Sequence, residues 1–226
     1  MFFDSIIYLS SLRFFVDMQK RMFYLIGVEI VVAFIFYKLV NGIINNNVRL
    51  DIFLNEKVMV LWNPLLNRIM ILVTMIMDTK VAAGLAIGLL VVLLSRKRFY
   101  DSFLLVSSLI IGQAVKSLMK LIMIRIRPSN ALIHAEGFSF PSGHATIAII
   151  FFSLLIYFFR NDIKNKFLKN LFIAVNILMI LLIGFSRVYL GVHWASDVMG
   201  GFCLGLGVVL FGMLSKIYKE KKFTFF

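Results

Sequence analysis

Three short patches of this sequence carry side chains that together could handle a phosphate group. The patches contain Lys120, Arg127, Pro128, Pro141, Ser142, Gly143, His144, Ser186, Arg187, His193 and Asp197. Three of these side chains are cations that can neutralise phosphate oxygens, two are histidines suited to nucleophilic or proton-transfer work, and one is a carboxylate that can orient a histidine. The chain has only three histidines, so the placement of two of them in these patches indicates a site for phosphoryl chemistry.

The first patch places two cations near a helix end. Lys120 and Arg127 are seven residues apart, which on a continuing helix brings them to one face, two turns apart. Pro128 would end that helix and let Arg127 project from its tip. The alternative interpretation is a pair of ordinary interface cations, which extend to the membrane surface from the end of a span.

The second patch, Pro-Ser-Gly-His at 141–144, is typical of a helix start, because proline suits the first helical position. The free backbone N–H groups of Ser142 and Gly143 would then favour an anion. Gly143 also allows an oxyanion to approach the backbone closely, and the Ser142 hydroxyl can donate one more hydrogen bond. The alternative is an ordinary capped helix start with a surface histidine.

The third patch combines a cation with a histidine and a carboxylate. Arg187 ends the fifth apolar segment, Gly191 permits a tight turn, and His193 and Asp197 are four residues apart. On a helix this spacing stacks the two side chains, so Asp197 can accept a hydrogen bond from one ring nitrogen and leave the other nitrogen free as a nucleophile. A structural His–Asp pair at a helix start is the alternative.

Composition indicates an integral membrane protein. The chain has 226 residues, is 61% hydrophobic and only 15% charged, which is too apolar for a soluble domain. A spanning helix needs about 20 mostly apolar residues. A seventh apolar run, 58–78, is interrupted by polar residues and is predicted to be interfacial, with Trp62 anchored at headgroup level. We predict an all-α bundle of six transmembrane helices in one domain, residues 1–226, with spans at 22–40, 79–95, 103–124, 143–159, 167–185 and 195–215.

The net charge of +13 is distributed in a way that indicates membrane topology rather than nucleic-acid binding. Six spans place four basic clusters on one side, and the positive-inside rule assigns that side and both termini to the cytoplasm. The three patches then lie near the outer ends of spans three to six, so the site is predicted to face outward. The clusters hold fourteen of the 24 basic residues: Arg13, Lys20, Arg21, Arg96, Lys97, Arg98, Arg160, Lys164, Lys166, Lys169, Lys216, Lys219, Lys221 and Lys222.

Other marked residues are assigned structural roles. His134 and Glu136 are predicted in a solvated loop, Asp78 at the outer end of the second span, and Glu29 beside a neighbouring helix. The single Cys203 is predicted to be a small packing residue of the last span. Close helix packing is the role predicted for the glycines at 200, 201, 205, 207 and 212.

Together the three patches resemble the signature of the type 2 phosphatidic acid phosphatase (PAP2) superfamily, the membrane lipid phosphatases related to vanadium-dependent haloperoxidases. The resemblance rests on K-x6-R-P, P-S-G-H and S-R-x5-H-x3-D, met without a departure across 120–197. It implies that His193 attacks phosphorus and forms a phosphohistidine, with Asp197 orienting the ring. It also implies that His144 protonates the leaving oxygen and then activates water.

The resemblance further implies that the enzyme requires no metal and no other cofactor. The phosphoryl oxygens would be held by Lys120, Arg127, Ser142, Gly143 and Arg187. These groups supply positioning and charge stabilisation, which are the main requirements of phosphoryl transfer.

The implied function is removal of a terminal phosphate from a lipid phosphate or lipid pyrophosphate in a bacterial inner membrane. Undecaprenyl diphosphate is the leading substrate, because its recycling suits an outward-facing site; phosphatidylglycerophosphate, phosphatidate and lipid A 1-phosphate are alternatives. A vanadate-dependent oxidase is disfavoured by the apolar spans, and a non-enzymatic membrane protein by the complete set of catalytic residue types. The expected partners are the lipid substrate and the bilayer, with no nucleic acid and no obligate protein partner.

Overall fold

The computed structural model describes the backbone of residues 2–223 and the side chains of residues 18–218. Over that range the chain is helical, with no strand. Its elements are α1 (Phe2–Ile44), α2 (Arg49–Met59), α3 (Pro64–Met75), α4 (Thr79–Ser95), α5 (Phe99–Met123), α6 (Gly143–Phe159), α7 (Lys166–Tyr189) and α8 (Ala195–Phe223). The predicted all-α class is confirmed.

The predicted spans coincide with helices, but the predicted number of six membrane crossings is not confirmed. Among the described residues, four segments are long and apolar enough to cross a membrane: Met18–Ile44, Phe99–Met123, Lys166–Tyr189 and Ala195–Tyr218. The pair α3 and α4 qualifies together as a fifth, bent by 48° at the break between them. Helix α6 is apolar but only 17 residues long. A multi-span architecture is therefore supported, whereas six crossings remain a prediction.

Helix α6 lies at the centre of the bundle, against α5, α7 and α8. Its side chains are apolar all round, and Ala148, Ile150 and Leu154 are fully buried. A helix without a polar face is covered by other helices or by lipid. This central position fixes where the start of α6, and hence the second patch, lies in the molecule.

Helix α8 approaches α6 closely because glycines line the contact. A Cβ on Gly201 would lie 2.6 Å from the Ser142 carbonyl oxygen, and one on Gly205 would lie 2.6 Å from the Thr146 carbonyl oxygen. Side chains at these positions would push the helices apart. The predicted packing role of these glycines is confirmed, and the contact holds the first turns of α6 and α8 together.

The apolar run at 58–78 folds into the end of α2 and all of α3, which packs over the end of α7. Pro64 occupies the first helical turn, and the Asn63 side chain caps the helix by accepting a hydrogen bond from the Leu66 N–H. Trp62 donates its indole N–H to the Tyr189 carbonyl oxygen at 2.8 Å. Met70 joins an apolar cluster with Tyr189, Leu190 and Val192.

Ion pairs at the opposite end of the bundle join basic residues of two clusters, and the loop that carries a third cluster contributes the carboxylate of Asp162. Arg96 lies 3.1 Å from Asp162, while Arg98 and Lys216 bind Asp101 at 2.7 and 3.0 Å. The predicted grouping of these clusters at one end is thus seen for the loops after α4 and α6 and for the last turns of α8. The side chains of Arg13, Lys219, Lys221 and Lys222 lie outside the described residues.

Candidate active site

The first patch is not built on one helix face. Helix α5 ends at Met123, and Ile124 adopts a left-handed conformation (φ 45°) with its N–H bonded to the Lys120 carbonyl oxygen. Residues 124–128 then form no regular secondary structure, and the side chains of consecutive residues lie on different sides of the chain. Arg125 and Arg127 point inward, whereas Ile126 is 84% exposed. The expectation of a helix continuing to Pro128 is therefore wrong.

Lys120 and Arg127 nevertheless converge on the same short stretch of backbone. Lys120 Nζ donates to the Phe138 carbonyl oxygen at 2.5 Å. Arg127 donates to the carbonyl oxygens of Glu136 and Gly137 at 2.9 Å and of Val192 at 2.6 Å. Arg127 thus ties the 136–138 loop to the turn before α8, and Lys120 ties the same loop to α5.

The second patch forms the N-terminus of α6, which begins at the start predicted for the span, two residues after the proline that was expected in the first helical position. Ser142 is the N-cap residue and the helix begins at Gly143, so Pro141 precedes the cap instead of occupying the first helical position. The Ser142 N–H donates to the Asp197 carbonyl oxygen at 2.9 Å. This bond turns the Ser142 peptide toward α8, while the N–H groups of the first helical turn remain available to an anion.

Two buried donors at this site have no hydrogen-bond partner among the described residues. They are the Ser142 hydroxyl and Nε of Arg187. Arg187, in the last turn of α7, also donates from NH1 to the Thr74 hydroxyl at 2.7 Å. Buried polar groups are nearly always paired, so an oxyanion bound between these two donors would satisfy both.

His193 and Asp197 meet as predicted, but by a different geometry. His193 lies in the turn before α8, which starts at Ala195, so the two side chains are not stacked on one helix. Nδ1 of His193 is 3.4 Å from Oδ2 of Asp197. The same oxygen accepts hydrogen bonds from the Trp194 N–H at 2.8 Å and from the Ser139 hydroxyl.

The second ring nitrogen of His193 faces the cations. Nε2 lies 3.2 Å from NH1 of Arg127. Burial is the main reason that the pKa of His193 falls to about 3, although the Asp197 carboxylate opposes the shift. The imidazole is therefore neutral near pH 7, with a proton on Nδ1 for Asp197 and a lone pair on Nε2. This arrangement can act as a nucleophile toward a phosphorus atom held by Arg127.

Sequence reasoning missed a buried ion-pair network behind Asp197. Arg125 donates from NH1 to Asp197 and from NH2 to Asp51 of α2, each at 2.6 Å. Asp51 also accepts hydrogen bonds from the N–H and hydroxyl of Ser196. The sequence feature that could have revealed Arg125 is the alternation Arg-Ile-Arg at 125–127. In an extended segment this alternation puts both arginines on one side.

Asp78 is a second carboxylate at the site, although the sequence predicts only a structural role for it. Asp78 precedes α4, and its Oδ1 lies 2.9 Å from Nε2 of His144. Asp78 lies at the break between α3 and α4, inside the bent pair that qualifies as one span, and its carboxylate contacts a site histidine. Its predicted place at the outer end of a span remains a prediction. The third histidine, His134, lies 3.3 Å from Glu136 with both side chains at least 85% exposed, in agreement with the predicted solvated loop.

The sequence matches the family model of the PAP2 superfamily over residues 101–221. Phosphatidylglycerophosphatase B of Bacillus subtilis (strain 168) is 30% identical over 197 residues, which cover 83% of this chain and 93% of the relative. Undecaprenyl-diphosphatase of Sulfolobus acidocaldarius is 32% identical over 108 residues, covering 45% of this chain and 48% of the relative.

Solved structures agree with these sequence matches. The crystal structure of a transmembrane PAP2-type phosphatidylglycerolphosphate phosphatase from Bacillus subtilis superposes with a TM-score of 0.70 at 29% identity, covering 85% of this chain and 96% of that one. The crystal structure of Aquifex aeolicus LpxE gives a TM-score of 0.60 at 22% identity, covering 73% and 94%. The second likeness concerns the fold alone.

Proposed function

Because the chain belongs to the PAP2 superfamily and is a lipid phosphatase, we propose that it removes the terminal phosphate of undecaprenyl diphosphate through a phosphohistidine at His193. The observation that carries this proposal is the buried, neutral imidazole of His193, which is paired with Asp197 through Nδ1 and presents Nε2 at 3.2 Å from Arg127. A nucleophile and an oxyanion-binding cation side by side are what in-line attack on phosphorus requires.

In the first step Nε2 of His193 attacks the terminal phosphorus, and the bond from this phosphorus to the bridging oxygen of the pyrophosphate breaks. That oxygen stays with the lipid, so undecaprenyl phosphate is the leaving group. Asp197 holds the Nδ1 proton and stabilises the positive charge that develops on the ring. Arg127, Arg187 and the Ser142 hydroxyl hold the three equatorial oxygens, with Lys120 and the Gly143 N–H beside them. His144 gives its proton to the departing lipid oxygen.

In the second step His144 takes a proton from water, and the resulting hydroxide attacks phosphorus opposite Nε2. The phosphorus–nitrogen bond breaks, inorganic phosphate leaves, and His193 returns to its neutral form. His144 is again protonated and ready for the next turnover. Each histidine therefore ends the cycle in the state in which it began.

Two observations support a diphosphate substrate. Lys116 lies one turn before Lys120 on α5, and its Nζ would be 3.2 Å from a Cβ on Gly143. This cation stands beside the phosphate site, where the second phosphate of a pyrophosphate would lie. The undecaprenyl-diphosphatase among the relatives supports the same substrate, and the predicted outward-facing site suits its recycling in a bacterial inner membrane.

Phosphatidylglycerophosphate is the second candidate, because a phosphatidylglycerophosphatase is similar along nearly the whole chain. Either lipid would reach the site from the bilayer. In the layout that we propose, α6 is a sixth span despite its 17 residues, since the shortest spanning helices have about 17. Both termini are then cytoplasmic and the site lies at the outer surface.

The test is phosphate release from purified protein in detergent with undecaprenyl diphosphate, phosphatidylglycerophosphate, phosphatidate and lipid A 1-phosphate. We expect the highest kcat/KM for undecaprenyl diphosphate, with phosphatidylglycerophosphate next. A higher kcat/KM for phosphatidylglycerophosphate would replace the leading substrate with the second. Release from none of the four lipids would contradict the proposed function.

A further inference from the structure

We propose that Asp78 is a positioning residue for the proton-transferring His144, so that the site contains two Asp–His pairs of opposite orientation. The inference rests on the proposed role of His144 as the acid of the first step. In one pair Asp197 binds Nδ1 of His193 and leaves Nε2 free; in the other Asp78 binds Nε2 of His144 and leaves Nδ1 free. The free nitrogen of His144 is then the one that meets the lipid oxygen.

The position of Asp78 follows from the break between α3 and α4. Aspartate at the start of a helix usually bonds an N–H of its own first turn. Asp78 has the extended backbone of an N-cap residue, but its side chain makes no capping hydrogen bond with α4. Its carboxylate instead lies 2.9 Å from His144 of α6. The 48° bend at 76–78 thus turns a capping side chain toward the site.

The same break holds a phosphate-binding residue in place. Thr74, in the last turn of α3, is buried and accepts a hydrogen bond from NH1 of Arg187 at 2.7 Å. Thr74 and Asp78 therefore contact Arg187 and His144, two residues that belong to different helices and different sequence patches. The end of α3 and the start of α4 together form one wall of the site.

The charges around His144 give Asp78 a specific task. The imidazole lies near the cations Arg187 and Lys116, and the carboxylate of Asp78 is its hydrogen-bond partner, 2.9 Å from Nε2. An acid that must protonate an alkoxide near pH 7 has to carry its proton before the reaction. Asp78 supplies a negative charge that stabilises the protonated form of His144 beside the two cations.

The two Asp–His pairs differ in the solvent exposure of their side chains. The side chains of His193 and Asp197 are at most 2% exposed, whereas those of His144 and Asp78 are 22% and 50% exposed. A closed pair protects a nucleophile from protonation, because burial penalises the charged ring. An open pair can exchange protons with water, as the second step of the reaction requires.

The test compares wild type with Asp78→Asn on phosphatidate, which has an alkoxide leaving group, and on p-nitrophenyl phosphate, whose phenolate needs little protonation. We expect Asp78→Asn to lower kcat for phosphatidate by about tenfold or more and kcat for the aryl phosphate by less than about threefold. The alkaline limb of the phosphatidate pH profile should move about one unit lower. An equal loss of kcat on both substrates, or an alkaline limb at the same pH as in wild type, would overturn the role of Asp78.

Three further variants distinguish this inference from the proposed function. Glu136→Gln, which removes the carboxylate of the exposed His134 pair, is the matched control and should behave as wild type. His144→Gln should reproduce the substrate dependence of Asp78→Asn, and adding Asp78→Asn to it should lower kcat no further. Equal losses on both substrates in His144→Gln would overturn the acid role itself. Melting curves should show all variants folded, since Asn also suits a helix N-cap.

Discussion

The two histidines of the site differ in their access to water, and this difference suits them to different steps. His193 is 2% exposed, and this burial keeps its ring neutral although the Asp197 carboxylate favours the protonated form. His144 stands at the edge of the site, beside the half-exposed Asp78. A nucleophile needs a lone pair, whereas an acid–base group must gain and lose a proton in each cycle.

The buried state of His193 predicts how stability depends on pH. Its pKa is about 3 in the folded protein and about 6.5 in an unfolded chain. Above pH 6.5 the ring is neutral in both states, and its full contribution to the free energy of unfolding is present. As the pH falls from 6.5 to 3 the unfolded state takes up a proton that the folded state does not, so the free energy of unfolding decreases. Melting temperature should therefore fall on acidification less steeply in His193→Gln than in wild type; equal slopes would contradict the buried, neutral ring.

The carboxylate of Asp197 should matter for orientation more than for binding. Asp197→Asn keeps the shape of the side chain but can present an amide N–H to Nδ1, which would favour the wrong tautomer. We expect kcat to fall by at least about tenfold while KM changes less than about threefold. Steady-state kinetics on one lipid phosphate would measure both constants. A change confined to KM would mean that Asp197 serves substrate binding instead.

Sequence patterns located most of the helices but missed the backbone breaks that connect them. The segments now seen as α4 and α6 were predicted with the same bounds, because apolar runs between charged ends mark them clearly. The left-handed Ile124 and the break at 76–78 have no comparable local signal. Those two features bring Arg125 and Asp78 to the site, so tertiary structure was needed to recognise both residues.

The network around Arg125 couples α2 to the first turn of α8. Removing one partner of a buried ion pair leaves an uncompensated charge, which typically costs about 3–5 kcal/mol. Arg125→Gln should therefore destabilise the protein by about that amount and lower kcat, since Asp197 loses a donor that holds it. The double variant Arg125→Gln/Asp51→Asn should lose less free energy of unfolding than the sum of the losses in the two single variants. Equilibrium unfolding in detergent would measure these differences.

A matched control for the Arg125 network lies at the other end of the bundle. Arg96 and Asp162 form an exposed pair at 3.1 Å. Exposed pairs contribute less than about 1 kcal/mol, so Arg96→Gln should change neither stability nor kcat appreciably. If Arg125→Gln were as mild as Arg96→Gln, the buried network would have no structural role.

The basic loops lie at the end of the bundle opposite the site, and this arrangement predicts which face of the membrane carries the site. The loop after α5 contains the exposed Ser129 at the site end, and the loop after α6 contains the exposed Lys164 at the basic end. In a Cys203→Ala background, Ser129→Cys should react with a membrane-impermeant thiol reagent in intact cells or spheroplasts. Lys164→Cys should react only after permeabilisation. The reverse pattern would put the site in the cytoplasm and remove the main reason for preferring undecaprenyl diphosphate.

The charge of the site as a whole predicts independence from metal ions. Lys120, Arg127 and Arg187 supply the positive charge that Mg²⁺ provides in many other phosphoryl-transfer enzymes. Activity should survive EDTA, and vanadate should inhibit because its five-coordinate form resembles the transition state. Loss of activity in EDTA that Mg²⁺ restores would contradict this prediction.

The most direct test of the central claim is to trap the phosphoenzyme. Purified protein would be mixed with undecaprenyl diphosphate labelled in its terminal phosphate and quenched within one turnover. Wild type and the exposed-histidine control His134→Ala should carry protein-bound label that is stable in alkali and lost in acid, as a phosphohistidine is. His193→Ala should carry none and release no phosphate. Label or turnover in His193→Ala at the wild-type level would contradict nucleophilic attack by His193.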